Sequence, residues 1–203
     1  MNIQSPLYNF PLQRKGNQFI KRTLDIIFAS IVLILIYPLA YIIIGCCIKI
    51  MMPGKIIFSQ KRHGQYGKVF TCYKFRSMLP NGEADIQQAS HEDPRITPLG
   101  RFLRITSLDE LPQFFNVLIG DMSFIGPRPV TIDRSFEEYD EKRKIRLDVR
   151  PGITGYSQAY FRNSISNEKK LEKDAFYARN VSFWGDLKII LATINTVIFR
   201  RNI

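Results

Sequence analysis

The sequence has little cysteine and little histidine, which excludes two kinds of site. Its three cysteines are Cys46, Cys47 and Cys72, and two of them are adjacent within an apolar run. An odd number in this arrangement gives no disulfide framework and favours a reduced protein that faces the cytoplasm. His63 and His91 are the two histidines. They stand in no spacing with the cysteines that would hold zinc.

Several common nucleotide-binding and hydrolase motifs are also missing. The chain contains no G-x-x-x-x-G-K-[ST] loop, no strand-linked G-x-G-x-x-G, no G-x-S-x-G and no H-E-x-x-H. If the chain is an enzyme, the best chemical candidate for its nucleophile or metal ligand is therefore a carboxylate.

Size and charge limit the remaining classes. A chain of 203 residues is long enough for one packed domain with an appendage. Lys and Arg outnumber Asp and Glu by 29 to 18, a formal charge of +11. Such an excess predicts an anionic partner, which leaves nucleic acid, anionic lipid and a phosphorylated substrate as open alternatives.

One long apolar run, residues 26–48, contains no charged side chain. As a helix it would extend about 35 Å, enough for a hydrocarbon core of about 30 Å. Pro38 in its middle predicts a kink or break. Both flanks are basic, with Arg14, Lys15, Lys21 and Arg22 before the run and Lys49, Lys55, Lys61 and Arg62 after it. Equal flanks favour a re-entrant hairpin with both ends in the cytoplasm, and a single kinked span is the alternative.

Periodicity predicts the main elements of the rest of the chain. Residues 55–60 and 68–78 form a β-hairpin whose second strand carries Lys74 and Arg76 on one face. Residues 79–98 are predicted as a loop and residues 133–149 as a surface helix that ends at the Arg-Pro-Gly of 150–152. The apolar stripe of residues 183–198, followed by Arg200 and Arg201, is typical of a core helix or of an interfacial helix with Trp184 at the headgroups.

Two adjacent carboxylates, Asp109 and Glu110, lie in the stretch "SLDELPQFFNV". Ser107 and Glu110 match a capping box, which needs no function. Pro112 fits a helix better if Asp109 is the cap, so the start of the helix stays open. In either register both carboxylates lie in the first turn, where the helix dipole predicts that both are ionised at neutral pH.

Arg128 stands in "GPRP", where two prolines and a glycine restrict the loop. Its planar guanidinium suits a phosphate or a carboxylate, and a structural ion pair is the plain alternative. A carboxylate that approaches a phosphate needs such positive groups, and a divalent cation, to offset the repulsion.

Four motifs occur together in one order: Lys21-Arg22-x-x-Asp25 before the apolar run, "YKFRSM", "SLDELPQFFNVLIGDMSFIGPRP" and "VRPGITGYSQ". With them the chain resembles the bacterial sugar transferases, the small monotopic phosphoglycosyl transferases, from about residue 21 onward. The resemblance implies transfer of a sugar 1-phosphate from a UDP-sugar to undecaprenyl phosphate, with release of UMP. It also implies a covalent phosphosugar on Asp109, with Mg²⁺ held by Asp109 and Glu110.

The same resemblance implies roles for basic and membrane residues. Arg128 would bind phosphate, and Arg104 would orient the dyad of Asp109 and Glu110. Glu110 would assist Mg²⁺ binding or deprotonate the lipid acceptor. The other implied positions are the basic pocket residues Lys74, Arg76 and Arg150, and the membrane residues Lys21, Arg22 and Pro38.

These observations predict an α+β protein. Residues 1–20 are an N-terminal segment, residues 21–50 a re-entrant membrane helix broken near Pro38, and residues 51–203 a small α/β catalytic domain with a β-hairpin and amphipathic interfacial helices. The expected location is the bacterial inner membrane with the domain on the cytoplasmic face. The expected partners are a UDP-sugar, undecaprenyl phosphate and membrane lipid, without nucleic acid, and a homodimer is left open.

Two departures from the family pattern bear on the site. Many relatives have Ser-Pro at the helix break, where this chain has Tyr37-Pro38. After "RPGITG" the usual Trp-Ala-Gln is Tyr156-Ser157-Gln158, so the sugar cannot be inherited from a relative if this region lines its pocket. The alternative function is a non-enzymatic, membrane-anchored basic adaptor for anionic lipid or nucleic acid.

Overall fold

The structure is a computed structural model that describes residues 15–52, 54–79, 93–161 and 164–198. Most of the predicted N-terminal segment (1–14), most of the predicted loop (80–92), and Arg200 and Arg201 lie outside these ranges. The described chain is a mixed α and β protein, as predicted.

A long N-terminal helix carries the apolar run. Helix α1 (Lys15–Ile31) passes through a π-helical turn (Val32–Ile36) into α2 (Tyr37–Met51). Pro38 lies in the first turn of α2, and the Tyr37 N–H reaches back to the Val32 carbonyl. The wider π turn accommodates the proline, which cannot donate to the preceding turn. The predicted interruption is therefore present, but the chain stays helical through it. By length and composition Asn17–Met51 could cross a membrane.

This helix packs against the rest of the protein on both sides of the π turn. Ala29 and Val32 are buried with Phe114 and Val117, while Ile48 and Met52 are buried with Phe75 and Leu103. The opposite side of the helix is apolar and exposed, with side chains such as Ile34, Leu35, Leu39 and Ile42 at least 60 % accessible. The helix thus has one face on the domain and one face toward the surroundings.

Two small sheets hold the loops of the site. In the first, β1 (Ile57–His63) pairs antiparallel with β2 (Val69–Phe75), which confirms the predicted hairpin with a longer first strand. Along the chain, β3 (Ser123–Ile125) of the second sheet and the Arg128 loop (residues 126–129) come before β4. Strand β4 (Val130–Thr131) joins the free edge of β1. In the second sheet, β3 pairs in parallel with β5 (Gly152–Thr154).

Six further helices surround these sheets: α3 (Pro98–Ile105), α4 (Gln113–Ile119), α5 (Glu141–Arg146), α6 (Tyr156–Tyr160), α7 (Asn167–Arg179) and α8 (Phe183–Ile198). Helix α5 is much shorter than the predicted helix of residues 133–149, because Asp140 caps it by accepting a hydrogen bond from the Arg143 N–H. Helix α7 has no counterpart among the predicted elements.

The burial of helix α8 bears on the choice between a core helix and an interfacial helix. Asp186, Ile189 and Thr196 face inward and are buried. Most of its apolar stripe faces outward and is exposed: Phe183, Trp184, Leu187, Leu191 and Ile194. An outward apolar face beside an apolar helix favours the interfacial reading.

Candidate active site

The two carboxylates lie on a short turn between α3 and α4. Ser107 adopts a left-handed conformation (φ 58°) that reverses the chain after α3, and a 3₁₀ turn (Leu108–Glu110) follows. Helix α4 starts only at Gln113, with Pro112 as its cap. The Ser107 side chain makes no capping hydrogen bond, so the capping-box reading is wrong, and so is the reading with Asp109 as cap. The dyad precedes the helix instead of lying in its first turn.

Glu110 is held by two cations. Lys74 Nζ donates to Glu110 Oε1 at 2.5 Å, and Arg128 Nη1 lies 3.5 Å from the same oxygen. Burial alone would raise the pKa of Glu110, but Lys74 and Arg128, together with a hydrogen bond from Gln113, hold it at about 2. Glu110 is thus a fixed negative charge, well suited to charge balance and poorly suited to accept a proton.

Asp109 differs from its neighbour. Its side chain is buried, and the nearest ion-pair partner is Lys74 Nζ at 3.9 Å from Oδ2. Burial raises the pKa of Asp109 to about 6, the nearby Lys74 opposes this, and the charge of Glu110 adds to it. Both carboxylates are therefore ionised at neutral pH, as predicted, but Asp109 takes up a proton in weak acid whereas Glu110 does not. An ionised, weakly paired carboxylate is the more nucleophilic member.

Arg128 projects from a tightly anchored loop, and 56 % of its side chain is exposed. The loop is tied to the second sheet, since Gly126 N–H donates to Thr154 O and Gly152 N–H donates to Pro127 O. At Gly126 and Gly152 the two backbones approach so closely that any Cβ would overlap main-chain atoms. The guanidinium is therefore presented from a fixed backbone toward the dyad.

A cavity of about 1130 Å³ joins these groups. The predicted residues that line it are Asp109, Glu110, Lys74, Arg76, Arg104 and Arg128. Arg104 Nε donates to Ser77 Oγ at 2.9 Å. Burial lowers the pKa of Arg104, and the nearby Asp109 opposes this effect. Arg76 donates to the Met52 carbonyl and is buried. The cavity is large enough for a nucleotide-sized ligand.

The other four predicted positions, Arg150, Lys21, Arg22 and Pro38, do not line this cavity. Arg150 Nε donates to Gly120 O at 2.9 Å, and the residue does not line the cavity. Lys21 Nζ lies 2.6 Å from Asp186 Oδ2, and Arg22 donates to the carbonyls of Val117 and Leu118. Lys21 and Arg22 thus fasten α1 to α8 and α4.

Several residues of the site were not predicted. Arg62, Gln113, Arg146, Asp174 and Gln158 all lie in the cavity wall or touch the dyad. Arg146 Nη2 donates to the Arg128 carbonyl at 2.9 Å and to Asp174 Oδ2 at 2.7 Å. In the sequence, Arg62, Arg146 and Asp174 are indistinguishable from solvated surface charges, and Gln113 and Gln158 carry no charge that would mark them.

The donor set partly fits the magnesium ion that the resemblance implies. Mg²⁺ in phosphate-transfer sites is held by one or two carboxylates together with substrate phosphates and water. Asp109 and Glu110 supply two adjacent carboxylates at the cavity. Among the described residues there is no cluster of three or more His, Cys, Asp or Glu side chains that would hold a metal by itself. The dyad therefore suits a metal that arrives with phosphate.

Comparison with known proteins agrees with this picture. The family model described as "Bacterial sugar transferase" matches residues 16–200. The chain is 42 % identical over 201 residues to the UDP-glucose:undecaprenyl-phosphate glucose-1-phosphate transferase of Escherichia coli, with 93 % of this chain and 42 % of the relative covered. It is 39 % identical over 206 residues to the undecaprenyl-phosphate galactose phosphotransferase of Salmonella typhimurium, with 93 % and 42 % covered.

A third relative is of similar length to this chain. The exopolysaccharide production protein ExoY of Sinorhizobium fredii is 38 % identical over 197 residues, with 89 % of this chain and 86 % of the relative covered. By contrast, the chain spans about two fifths of the length of the first two relatives. Fold and site together define a protein with one helix long and apolar enough to cross a membrane and with a carboxylate dyad in a cavity lined by basic side chains. The chain belongs to the bacterial sugar transferase family.

Proposed function

We propose that this protein transfers a sugar 1-phosphate from a UDP-sugar to undecaprenyl phosphate, releases UMP, and so starts the assembly of a bacterial glycan. The observation that carries the proposal is the different state of the two carboxylates. Asp109 is buried, weakly paired and ionised near neutral pH, while Glu110 is fixed by Lys74 and Arg128. The relatives' names supply the substrate class.

In the first step a carboxylate oxygen of Asp109 attacks the sugar-bearing phosphorus of the UDP-sugar. The bond from this phosphorus to the bridging oxygen breaks, and UMP leaves with that oxygen. Asp109 then carries the sugar phosphate as an acyl phosphate. Arg128 and Lys74 offset the negative charge that gathers between the carboxylate and the diphosphate.

In the second step a phosphate oxygen of undecaprenyl phosphate attacks the same phosphorus. The bond to Asp109 breaks, the polyprenyl diphosphate sugar leaves, and the Asp109 carboxylate is restored. The charges balance without a proton when the lipid phosphate is a dianion, so no base is required. The low pKa of Glu110 therefore favours its role in charge balance and metal binding over that of a base.

Magnesium belongs to this proposal through the dyad. Asp109 and Glu110 would hold the ion, and it would neutralise the diphosphate of the UDP-sugar. Lys74, which already contacts Glu110, would keep that carboxylate charged and oriented when the metal is absent.

The membrane part of the proposal is a re-entrant helix with both ends on the cytoplasmic face. Thirty-five helical residues would extend about 52 Å if straight. Arg22 in α1 and Ile48 in α2 both contact the same small domain, and Tyr37 between them stacks near Phe75 and Phe115. A helix that rests on one domain along its length favours insertion from one side. The exposed apolar face of α8 would lie at the same interface.

The catalytic proposal is tested with Asp109→Asn, which keeps the size of the side chain and removes the nucleophile. UMP release is measured with a panel of UDP-sugars, undecaprenyl phosphate and Mg²⁺. The wild type is expected to release UMP with at least one UDP-sugar and to form a phosphosugar adduct on the Asp109 peptide in mass spectrometry. Unchanged UMP release by the Asn variant would disprove the mechanism.

The topology is tested by labelling single cysteines in sealed membrane vesicles. Cys46, Cys47 and Cys72 are first replaced by serine or alanine, and cysteines are then placed at the exposed positions Gln18 and Lys55. A membrane-impermeant thiol reagent is expected to label both positions from the cytoplasmic side. Labelling of the two positions from opposite sides would establish a single span instead.

A further inference from the structure

Part of the cavity wall comes from helices α5 to α8, and its polar side chains have no role in the chemistry above. We call it the helical pocket and define it by Arg146, Ser157, Gln158, Asp174, Thr193 and Thr196. Thr196 donates to Ala159 O, and Thr193 shares a 2.8 Å hydrogen bond with Thr154, so the hydroxyls are held in fixed positions.

Three atoms of the helical pocket have no hydrogen-bond partner of normal geometry among the described residues. They are Arg146 Nε, Asp174 Oδ1 and Gln158 Oε1. Burial raises the pKa of Asp174, Arg146 and Ser157 oppose this rise, and Oδ1 itself has no hydrogen-bond partner of normal geometry. Arg146 and Asp174 are more than nine-tenths buried. Leaving buried polar atoms unpaired costs about 1–3 kcal/mol each, so their presence beside a cavity indicates a polar ligand.

The chemistry of these three atoms selects among ligands. Two are acceptors and one is a donor, so a ligand must offer at least two donors and one acceptor. A uracil ring has a single N–H donor, which cannot satisfy both acceptors. The Arg146–Asp174 ion pair, joined at 2.7 Å, leaves no net charge in the pocket for a phosphate. Adjacent hydroxyl groups, each a donor and an acceptor, satisfy the pattern, and both the sugar ring and the ribose of a UDP-sugar carry them.

The position of the pocket relative to the dyad points to the same ligand. Arg128 contacts Glu110 through its guanidinium, while its carbonyl accepts from Arg146 in the helical pocket. Arg128 thus adjoins both the dyad and the helical pocket, so a group attached to a phosphate on its guanidinium would have the pocket within reach. The group attached to the phosphorus that Asp109 attacks is the sugar itself.

We infer that the helical pocket binds the sugar ring of the UDP-sugar and that Gln158 and Asp174 accept hydrogen bonds from its hydroxyls. This inference rests on the proposed function and deepens it, because it assigns the part of the site that distinguishes one UDP-sugar from another.

The test uses Gln158→Met in the Asp109→Asn background, which prevents turnover during binding measurements. The matched control is Gln65→Met in the same background. Both glutamines are half-buried, and each donates a hydrogen bond through Nε2 to a backbone carbonyl, Ile153 O for Gln158 and Asp148 O for Gln65. They differ in that Gln158 lines the cavity and Gln65 does not. Calorimetry measures the Kd of UDP and of UDP-glucose, UDP-galactose and their N-acetylated counterparts.

Gln158→Met is expected to weaken the best-bound UDP-sugar about tenfold and to change the Kd of UDP less than twofold. Gln65→Met is expected to change neither. Equal weakening of UDP and UDP-sugar would place the pocket at the nucleoside and overturn the inference, and so would an unchanged Kd for both. UDP-sugar binding with the expected Gln158 response but no UMP release from the wild type would refute the proposed function alone. No binding of any UDP-sugar would overturn both.

Discussion

The opposite pKa shifts of the dyad predict opposite effects on stability. The pKa of Asp109 rises from 3.8 to about 6, and that of Glu110 falls from 4.5 to about 2. One pKa unit corresponds to about 1.4 kcal/mol, so ionised Asp109 costs about 3 kcal/mol of folding free energy at neutral pH and ionised Glu110 contributes a similar amount. Asp109→Asn should therefore stabilise the protein, and Glu110→Gln should destabilise it.

The stability gained through Asp109→Asn should depend on pH. Because the folded pKa of Asp109 is raised, the folded protein binds more protons than the unfolded chain between about pH 4 and pH 6. The wild type therefore loses stability through Asp109 as the pH rises through that window, and Asp109→Asn removes the loss. The gain in the variant should be full above about pH 7 and nearly absent at pH 4.

The assay is thermal unfolding in detergent with EDTA, so that no divalent cation binds the dyad. For a chain of this size about 3 kcal/mol corresponds to a Tm change of roughly 6–12 °C. We expect Asp109→Asn to unfold at a higher temperature than the wild type at pH 7.5 and at nearly the same temperature at pH 4. The exposed Glu138→Gln serves as the control. A Tm of Asp109→Asn at or below that of the wild type at pH 7.5, or a gain that persists at pH 4, would refute the reasoning.

Three further predictions follow from the site. UMP release should be constant above pH 7 and fall about tenfold per unit well below pH 6, because the nucleophile Asp109 becomes protonated; a flat profile down to pH 5 in a steady-state assay would exclude it as the group that titrates. Lys74→Met removes the closest cation from Glu110 and should cost about 3 kcal/mol in thermal unfolding, with turnover reduced more than a hundredfold. Gly126→Ala should lower kcat at least tenfold with little change in secondary structure by circular dichroism, since the added methyl displaces the Arg128 loop.

Local patterns predicted much of the fold. The hairpin of β1 and β2, the apolar helix with its interruption near Pro38 and the apolar stripe of α8 follow from periodicity or from a single residue type, but periodicity does not say which way the stripe faces. Helix α5 and the start of α4 were misjudged because capping depends on backbone geometry: Asp140 shortens one helix, and the left-handed Ser107 delays the other. The parallel pair of β3 and β5 joins three-residue strands, which are too short to show a period.

Only some of the site residues could be predicted from the sequence. Lys74, Arg104 and Arg128 line the cavity as predicted, whereas Arg150 does not, since its guanidinium caps the Gly120 carbonyl. Arg146 and Asp174 were missed because their pairing joins α5 to α7, and no local pattern records a contact between separate helices. The unequal pKa values also depend on burial, which the neighbouring residues alone do not determine.

The close backbone approach at Gly126 and Gly152 has a consequence for how this protein can change. Twenty residues separate the "GPRP" and "RPGITG" stretches, yet a side chain added at the glycine of either one would overlap the backbone of the other. The two stretches must therefore fit each other, so a chimaera that takes one of them from a relative should be active only if it takes both. Substitutions that change which sugar is bound would then occur in α6 to α8, beside the two stretches, while the loop that presents Arg128 to phosphate stays unchanged.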